Sequence, residues 1–386
     1  MYRVIPLALV LRILASFIVG SPPYDPASYT DLANSVLDGH GLVTWIRPYG
    51  EVRAMYPPLY PLLLALFSPG GVSIVSILVL NTLIDIATAF TIVAIGRELE
   101  IRRADWAAWL YLLWPSLILS APVAQKESLC ILLGALAVLA WLRQSQVGFG
   151  LAAGLLALTQ PSLAPLPVFM CLAMLPSTGL RKTASFTTTA AGAATLVLLP
   201  WWARNWLLFH QFVPLTTSLG HSLMTVVDGG NHIPLQPDVM ALPEPQRSAI
   251  MGGRAAAIIG VDPLPYLKNV GYQTMKGLFD ERFVVRRLEI PDLMWMRWIT
   301  RLFYWPLLLA ACVGSFNVDR RMLGILAACA LTLATGIWFE FGERHRYFVL
   351  PLLMLLATCA LWLVLDRRRQ LQLLSVRDRV GRKPTV

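Results

Sequence analysis

The sequence predicts an all-α polytopic membrane protein, a helix bundle with about ten spans. Three observations carry that expectation. Charged residues make up 14% of the 386 and hydrophobic ones 56%, with a mean hydropathy of +0.62, whereas a soluble globular domain carries roughly 25% charge. Several apolar runs approach the ~20 residues that cross hydrocarbon as a helix. Short basic clusters recur between those runs, as the cytoplasmic-side bias of membrane proteins requires.

The first apolar run carries Arg3 and ends near Gly20. Residues 15–23 offer no A-x-A cleavage site and Arg12 interrupts the run, so it reads as an uncleaved first span, not a signal peptide. Spans then fall near 4–20, 72–97, 105–122, 126–143, 184–203, 298–315, 321–339 and 347–366. The segment 148–177 lies between Arg143 and Arg181-Lys182 and is broken by Pro161, Pro165 and Pro167. With both ends on one side it must enter and return, as two short helices in a hairpin.

Orientation follows from the short loops. Arg97, Arg102, Arg103, Arg143, Arg181-Lys182, Arg320-Arg321 and Arg367-Arg368-Arg369 all fall on one side if the N-terminus is cytoplasmic. The opposite, outer side then receives 21–71, the turn near 122–125, the long segment after 203 and the turn 340–346. The expected organisation is a transmembrane region 1–203 with its first outer loop at 21–71, an outer segment 204–297, C-terminal transmembrane helices 298–366, and a basic cytoplasmic tail 367–386. A multi-pass plasma (inner) membrane protein results, with its active site facing outward. The net charge of +10 is spread over these clusters and forms no nucleic-acid stripe. The five cysteines lie in apolar stretches without metal or disulfide spacing.

Pro200-Trp201-Trp202-Ala203-Arg204-Asn205-Trp206 closes the apolar run 183–199. Tryptophan prefers the membrane interface, and an arginine beside it meets head groups or phosphates. In the first outer loop, Tyr24-Asp25-Pro26 is a helix start, with the carboxylate at the N-cap and Pro at N1. Tyr29, Leu32, Ala33 and Val36 share one face of that helix; Asp31, Asn34 and Asp38 share the other. It ends at the glycines 39–41, and Tyr56-Pro57-Pro58-Leu59-Tyr60-Pro61 opens a second short apolar helix.

Asp25 is the first candidate for a general base, and Asp31 the second; the plain alternative for Asp25 is a helix cap. Glu127 and Lys126 stand at the outer mouth of the fourth span. Glu127 would be a second acid, a partner for sugar hydroxyls or a cation ligand, and Lys126 a phosphate contact. Arg53, Arg204, Arg344 and Arg346 are expected at the same surface, where a guanidinium fork suits phosphate oxygens. Arg344-His345-Arg346-Tyr347 is the densest such cluster. Arg12 and Asp85 fall near mid-span and are expected to pair, with Asn81 beside them. His40, His210, His221 and His232 have no ligand spacing, and Asp228-Gly229-Gly230-Asn231 reads as a turn. No nucleotide-binding glycine loop is present, so a nucleotide-sugar donor is not supported. No cofactor is called for, apart from a divalent cation that Asp25 and Glu127 would share if their helices converge.

Taken together, four stretches resemble the GT-C membrane glycosyltransferases, in the bacterial branch of the protein mannosyltransferase and lipid A aminoarabinose transferase superfamily. They are the Asp25 helix with its glycines, the Tyr56–Pro61 string, Pro200 to Asn205 continuing to Phe212-Val213-Pro214-Leu215 and Gly220, and Arg346-Tyr347 with Pro351. The resemblance implies a polyprenyl-phosphate-linked sugar donor, inverting transfer on the outer face, a first-loop aspartate (Asp25) as base, and a lipid-phosphate site near the Pro-Pro and Arg204 loops. Tyr56 and Asn205 enter the candidate substrate site in this way. The acceptor is a lipid, glycan or protein, and membrane lipids surround the whole. Two departures stand out: Tyr56 occupies the place where the family often has lysine, and Gln160 the place where arginine is common. A flippase for a lipid-linked sugar shares the need for arginines but not for Asp25, and a noncatalytic scaffold needs neither.

Overall fold

The computed structural model describes residues 4–19, 25–46, 49–229, 237–281, 295–316 and 318–381. The side chains of Asp25, Pro26 and Ala27, and of the tail from 367 onward, lie outside the described residues, as do Tyr24, Gly230, Asn231 and His232. The fold is a helix bundle, as expected, with one small addition.

Helix α1 (Ile5–Val19) leads to α2 (Asp25–Leu37), then to a hairpin of β1 (Thr44–Ile46) and β2 (Gly50–Val52), and to α3 (Leu59–Leu66). The hairpin pairs antiparallel, with Trp45 opposite Glu51, and was not foreseen. Gly39 and Gly41 both sit at positive φ (79° and 77°), the conformation that ends a helix cheaply only with glycine. Tyr29, Leu32 and Ala33 are buried as the face pattern requires.

Helix α4 (Ile74–Glu98) starts at a reciprocal cap between Ser73 and Ser76. The expected single span at 105–122 is instead two helices, α5 (Ala104–Leu112) and α6 (Pro115–Ser120). Pro115 has no N–H to continue the ladder and holds Trp114 extended at ψ 123°. Helix α7 (Glu127–Leu142) matches its expectation closely.

The segment 148–177, expected as two short helices in a hairpin, does hold two helices joined by a turn, and the first of them packs on Ala190, Ala193 and Ala194 beyond Gly179. Helix α8 (Gln146–Ala157) and a 3-10 turn (Pro161–Leu163) precede α9 (Pro165–Phe209), which is broken at Gly179 (φ 76°, ψ 166°). α9 does not stop at the tryptophans. It runs on to Phe209, where His210 adopts the left-handed conformation, so Arg204 and Asn205 ride on the helix itself. The packing of α8 on α9 needs Gly150 and Gly154, spaced four apart. A Cβ at Gly150 would come within 2.1 Å of the Ala190 carbonyl oxygen, the close approach that small residues permit between membrane helices.

After α9 come α10 (Leu219–Val227), α11 (Pro237–Met240), α12 (Glu244–Val261) and α13 (Pro263–Phe279), in the segment expected on the outer side. Then come α14 (Met296–Ser315), α15 (Arg320–Gly336), a 3-10 segment (Glu343–Val349) and α16 (Leu350–Gly381). Among the described residues, four helical stretches are long and apolar enough to cross a membrane: Ile74–Glu98, Pro161–Phe209, Trp298–Ser315 and Glu343–Asp366. Shorter apolar helices at Ile5–Val19, Glu127–Leu142 and Gln146–Ala157 pack beside them.

Arg12 and Asp85 pair as expected, 3.0 Å apart and both buried. Tyr111 donates to the other Asp85 oxygen at 3.0 Å, and Arg12 to the Leu112 carbonyl at 2.8 Å. Asn81 stands elsewhere. Its amide donates to the carbonyls of Ala121 (3.0 Å) and Val123 (2.9 Å), which fixes the turn leading into α7.

Candidate functional site

The first loop is folded onto the start of α7 through tyrosines. Tyr29 of α2 meets the Tyr56 ring at 5.3 Å and the Tyr60 ring at 5.5 Å, both edge-on. The Tyr60 hydroxyl donates to Asn81 Oδ1 (3.1 Å) and accepts from the Gln125 N–H (3.1 Å). One phenol therefore ties α3, α4 and the 121–126 turn together. Burial pushes the Tyr60 pKa up, with the nearby Glu127 carboxylate adding to the effect.

Lys126 and Glu127 follow directly. The Lys126 ammonium lies 5.9 Å from the centre of the Tyr29 ring. Glu127 is 6% exposed, and its Oε2 has no hydrogen-bond partner among the described residues; the same holds for Gln125 Oε1. Asp25 precedes Tyr29 by four residues on α2, so the two positions share a face of that helix. Among the described residues no three His, Cys, Asp or Glu side chains gather as a metal cluster.

Tyr56 also faces a second group. It packs with Leu59 and Trp202 on a cluster of Leu32, Leu42, Ala54, Leu158 and Trp201. Arg204 stacks over Trp201 at 4.8 Å and donates to Asn205 Oδ1 (2.8 Å) and to the Leu42 carbonyl (3.4 Å). Asn205 is fully buried and donates to the Val213 carbonyl (3.2 Å); it orients Arg204 and pins the following loop. Arg53 and Glu244 lie within electrostatic reach of Arg204. Arg53 is half-exposed and pairs with Glu51 at 2.7 Å. Gln160 donates to Ser162 (2.7 Å), next to the bond between the Leu59 N–H and the Leu158 carbonyl.

Glu244 and Arg247 were missed by the sequence reading. Both stand in the first turn of α12 and reach back to the first loop. Glu244 accepts from the N–H groups of Arg53 (2.6 Å) and Ala54 (3.1 Å) and from the Thr217 hydroxyl. Arg247 donates to the carbonyls of Tyr49 and Glu51, the latter at 2.6 Å. The i, i+3 spacing after Pro243 was the available signal. Burial, with Asp228 and Glu340 adding, pushes the Tyr49 phenol up to about 12.

The 343–349 cluster forms a separate focus. Arg346 is 5% exposed and pairs with Glu281, itself 1% exposed, at 2.6 Å. It also donates to the carbonyls of Gly277 (2.7 Å) and Asp280 and stacks over Tyr304 at 3.9 Å. Glu281 accepts from Ser116 (2.7 Å), Tyr347 (3.1 Å) and the Trp114 indole (3.4 Å). Arg344 pairs with Glu340 at 3.2 Å, and His345 Nδ1 accepts from the Gly342 N–H at 3.0 Å. Phe348 lies against Gly134, two turns along α7 from Glu127. Nothing in the sequence marked Glu281, which is 65 residues from its partner.

A multi-pass helical protein of the GT-C fold is the class these features define. The chain is similar over its full length to the archaeal oligosaccharyltransferase AglB from Archaeoglobus fulgidus in complex with an inhibitory peptide and a dolichol-phosphate. That match has a TM-score of 0.59 and 13% identity, and covers 100% of this chain and 52% of that one. The Archaeoglobus fulgidus oligosaccharyltransferase in complex with Zn and sulfate aligns at 0.56 and 14%, over 94% and 49% of the two chains. ArnT from Cupriavidus metallidurans bound to undecaprenyl phosphate aligns at 0.48 and 13%, over 93% and 77%. The chain thus spans about half the length of the oligosaccharyltransferase, and the likeness is one of fold. No family model and no curated protein sequence matches it.

Proposed function

We propose that this chain is an integral membrane glycosyltransferase that moves a sugar from a polyprenyl-phosphate donor to an acceptor hydroxyl on the outer face of the membrane. One observation supports it most. The loop that begins at Asp25 is folded onto Lys126 and Glu127 on one side and onto Trp201 and Arg204 on the other. Contacts of this one loop with cations on separate helices support a shared corner, to which the reading adds Asp25. The likeness in fold to an oligosaccharyltransferase structure that holds dolichol-phosphate points the same way.

In this reading the Asp25 carboxylate takes the proton of the acceptor hydroxyl. The acceptor oxygen attacks the anomeric carbon from the face opposite the phosphate. The bond from that carbon to the phosphate oxygen breaks, and its electron pair leaves with polyprenyl phosphate. Lys126, Arg53 and Arg204 hold the phosphate charge in the transition state. The partnerless Glu127 Oε2 accepts a sugar hydroxyl. Tyr56 supplies an aromatic edge to the same corner, and Asn205 orients Arg204. Arg344, His345, Arg346 and Tyr347 brace the neighbouring wall and do not touch the phosphate.

Asp25→Asn separates transfer from transport. Purified protein in proteoliposomes is given a defined polyprenyl-phosphoryl sugar, and product formation and lipid binding are both measured. The expected result is transfer by the wild type and loss of transfer by Asp25→Asn with lipid binding retained. Unchanged transfer by Asp25→Asn, or movement of intact lipid-linked sugar between leaflets without cleavage, overturns the reading.

A further inference from the structure

Helix α13 belongs to a segment that the sequence assigns to the aqueous outer side, yet its surface is not that of a water-facing helix. Leu264, Leu267, Tyr272, Met275 and Phe279 are 55%, 47%, 65%, 59% and 53% exposed. At 100° per residue they fall on one arc of the helix. The opposite side, with Tyr266 and Val270, packs on Val226 and Ile337. Lys268 lies within the apolar arc and Lys276 on its flank, the latter 5.4 Å from the Tyr272 ring. Long lysine stems in such a setting carry their charge outward to phosphate level.

The two ends of α13 fix its orientation. Near its start, the Tyr266 hydroxyl donates to the Trp338 carbonyl at 2.6 Å, just beyond the end of α15. At its finish, the Trp305 indole of α14 donates to the Phe279 carbonyl at 2.9 Å. Trp305 and Trp338 are 58% and 46% exposed. Trp338 stands just past the end of α15, where tryptophan marks the boundary between hydrocarbon and water, and Trp305 stands midway along α14, within its apolar stretch Trp298–Ser315. The stretch between these tethers, about 20 Å long at 1.5 Å per residue, runs from that boundary along the side of α14. The apolar arc then continues the lipid-facing surface of α14, whose Trp298, Leu302 and Leu309 are 60%, 71% and 71% exposed.

We infer that α13 is an interfacial membrane helix. Its Leu264–Leu267–Tyr272–Met275–Phe279 arc is embedded in the leaflet on the Trp305 and Trp338 side, with Lys268 and Lys276 at the lipid phosphates. The occupant of this face is the bilayer, not a second protein copy. The C-terminal turn of α13 also supplies the carbonyls of Gly277 and Asp280 that hold Arg346, so lipid contact is built into the wall beside the candidate site. This inference depends on the membrane assignment of α14 and α15 and not on any transferase activity.

The native chain in lipid nanodiscs is tested by hydroxyl-radical footprinting, with the isolated 263–279 peptide in buffer as reference. Met275 and Tyr272 are expected to be strongly protected and to be labelled instead by a lipid-soluble carbene precursor. In a chain whose five native cysteines are alanine, a nitroxide on Leu267→Cys is expected about 5–10 Å below the phosphates. A nitroxide on Ala249→Cys is expected to collide with an aqueous nickel chelate. Oxidation of Met275 at the peptide's rate overturns the inference. So does protection that grows with protein concentration in detergent, which would mean that a second copy covers the face.

Discussion

Replacing Glu281 by alanine removes the carboxylate that pairs with Arg346 at 2.6 Å, and both groups are nearly inaccessible. A buried ion pair stripped of one partner typically loses about 3–5 kcal/mol, because the remaining charge stays desolvated. Arg346 keeps the carbonyls of Gly277 and Asp280, which places Glu281→Ala near the lower end, about 3 kcal/mol. Ser116, Tyr347 and the Trp114 indole lose their shared acceptor as well. Glu281→Gln keeps much of that hydrogen bonding and is expected to lose less. The double variant Glu281→Leu with Arg346→Met removes both charges and is expected to return to within about 1 kcal/mol of wild type. Reversible unfolding in mixed SDS micelles, followed by tryptophan fluorescence, reads these values. If Glu281→Ala lies within about 1 kcal/mol of wild type, the pair behaves as a solvated surface bridge and the reasoning is wrong.

Further outcomes follow from other contacts. Arg12→Ala leaves Asp85 buried without its cation and is expected to cost about 3–5 kcal/mol, measured in the same unfolding assay. Gly150→Leu is expected to force α8 from α9, seen as loss of a folded monomeric peak in detergent, whereas Gly192→Leu, in open space, is tolerated. Glu244→Ala is expected to free the segment that follows β2, raising amide exchange at Arg53 and Ala54 while α7 stays protected. The Tyr49 phenol is neutral in the folded chain until about pH 12, above its ordinary value of 10.0. Its contribution to stability is therefore present below pH 10 and is lost as pH rises through about 12. Wild type minus Tyr49→Phe isolates this slope in pH-dependent unfolding.

Local chemistry explains what the sequence could reveal. The glycines after α2, the prolines between α8 and α9, and the mid-span Arg12–Asp85 pair are each fixed by neighbours or by the cost of a bare charge in hydrocarbon. They were legible for that reason. The break at Trp114-Pro115 was also written in the sequence, but the length of the apolar run masked it. Long-range pairings were not legible. Glu244 meets the first loop across 190 residues, and Glu281 meets Arg346 across 65. Neither lies in a motif, and an acid near a helix start usually serves only the helix. Asn81 illustrates the same limit. Its position on α4 suggested Asp85's company, yet its amide serves two carbonyls 40 and 42 residues on and the Tyr60 hydroxyl 21 residues back.

The central claim is that one outward corner, formed by the first loop, the mouth of α7 and the end of α9, receives a polyprenyl phosphate. A structure of the chain in nanodiscs with bound polyprenyl phosphate tests it most directly. The account predicts phosphate density within hydrogen-bond distance of Lys126 and of Arg204 or Arg53, with the Asp25 carboxylate facing the same space. Phosphate density beside Arg102 at the opposite end of the bundle, or held by Arg346 in place of Glu281, would contradict it.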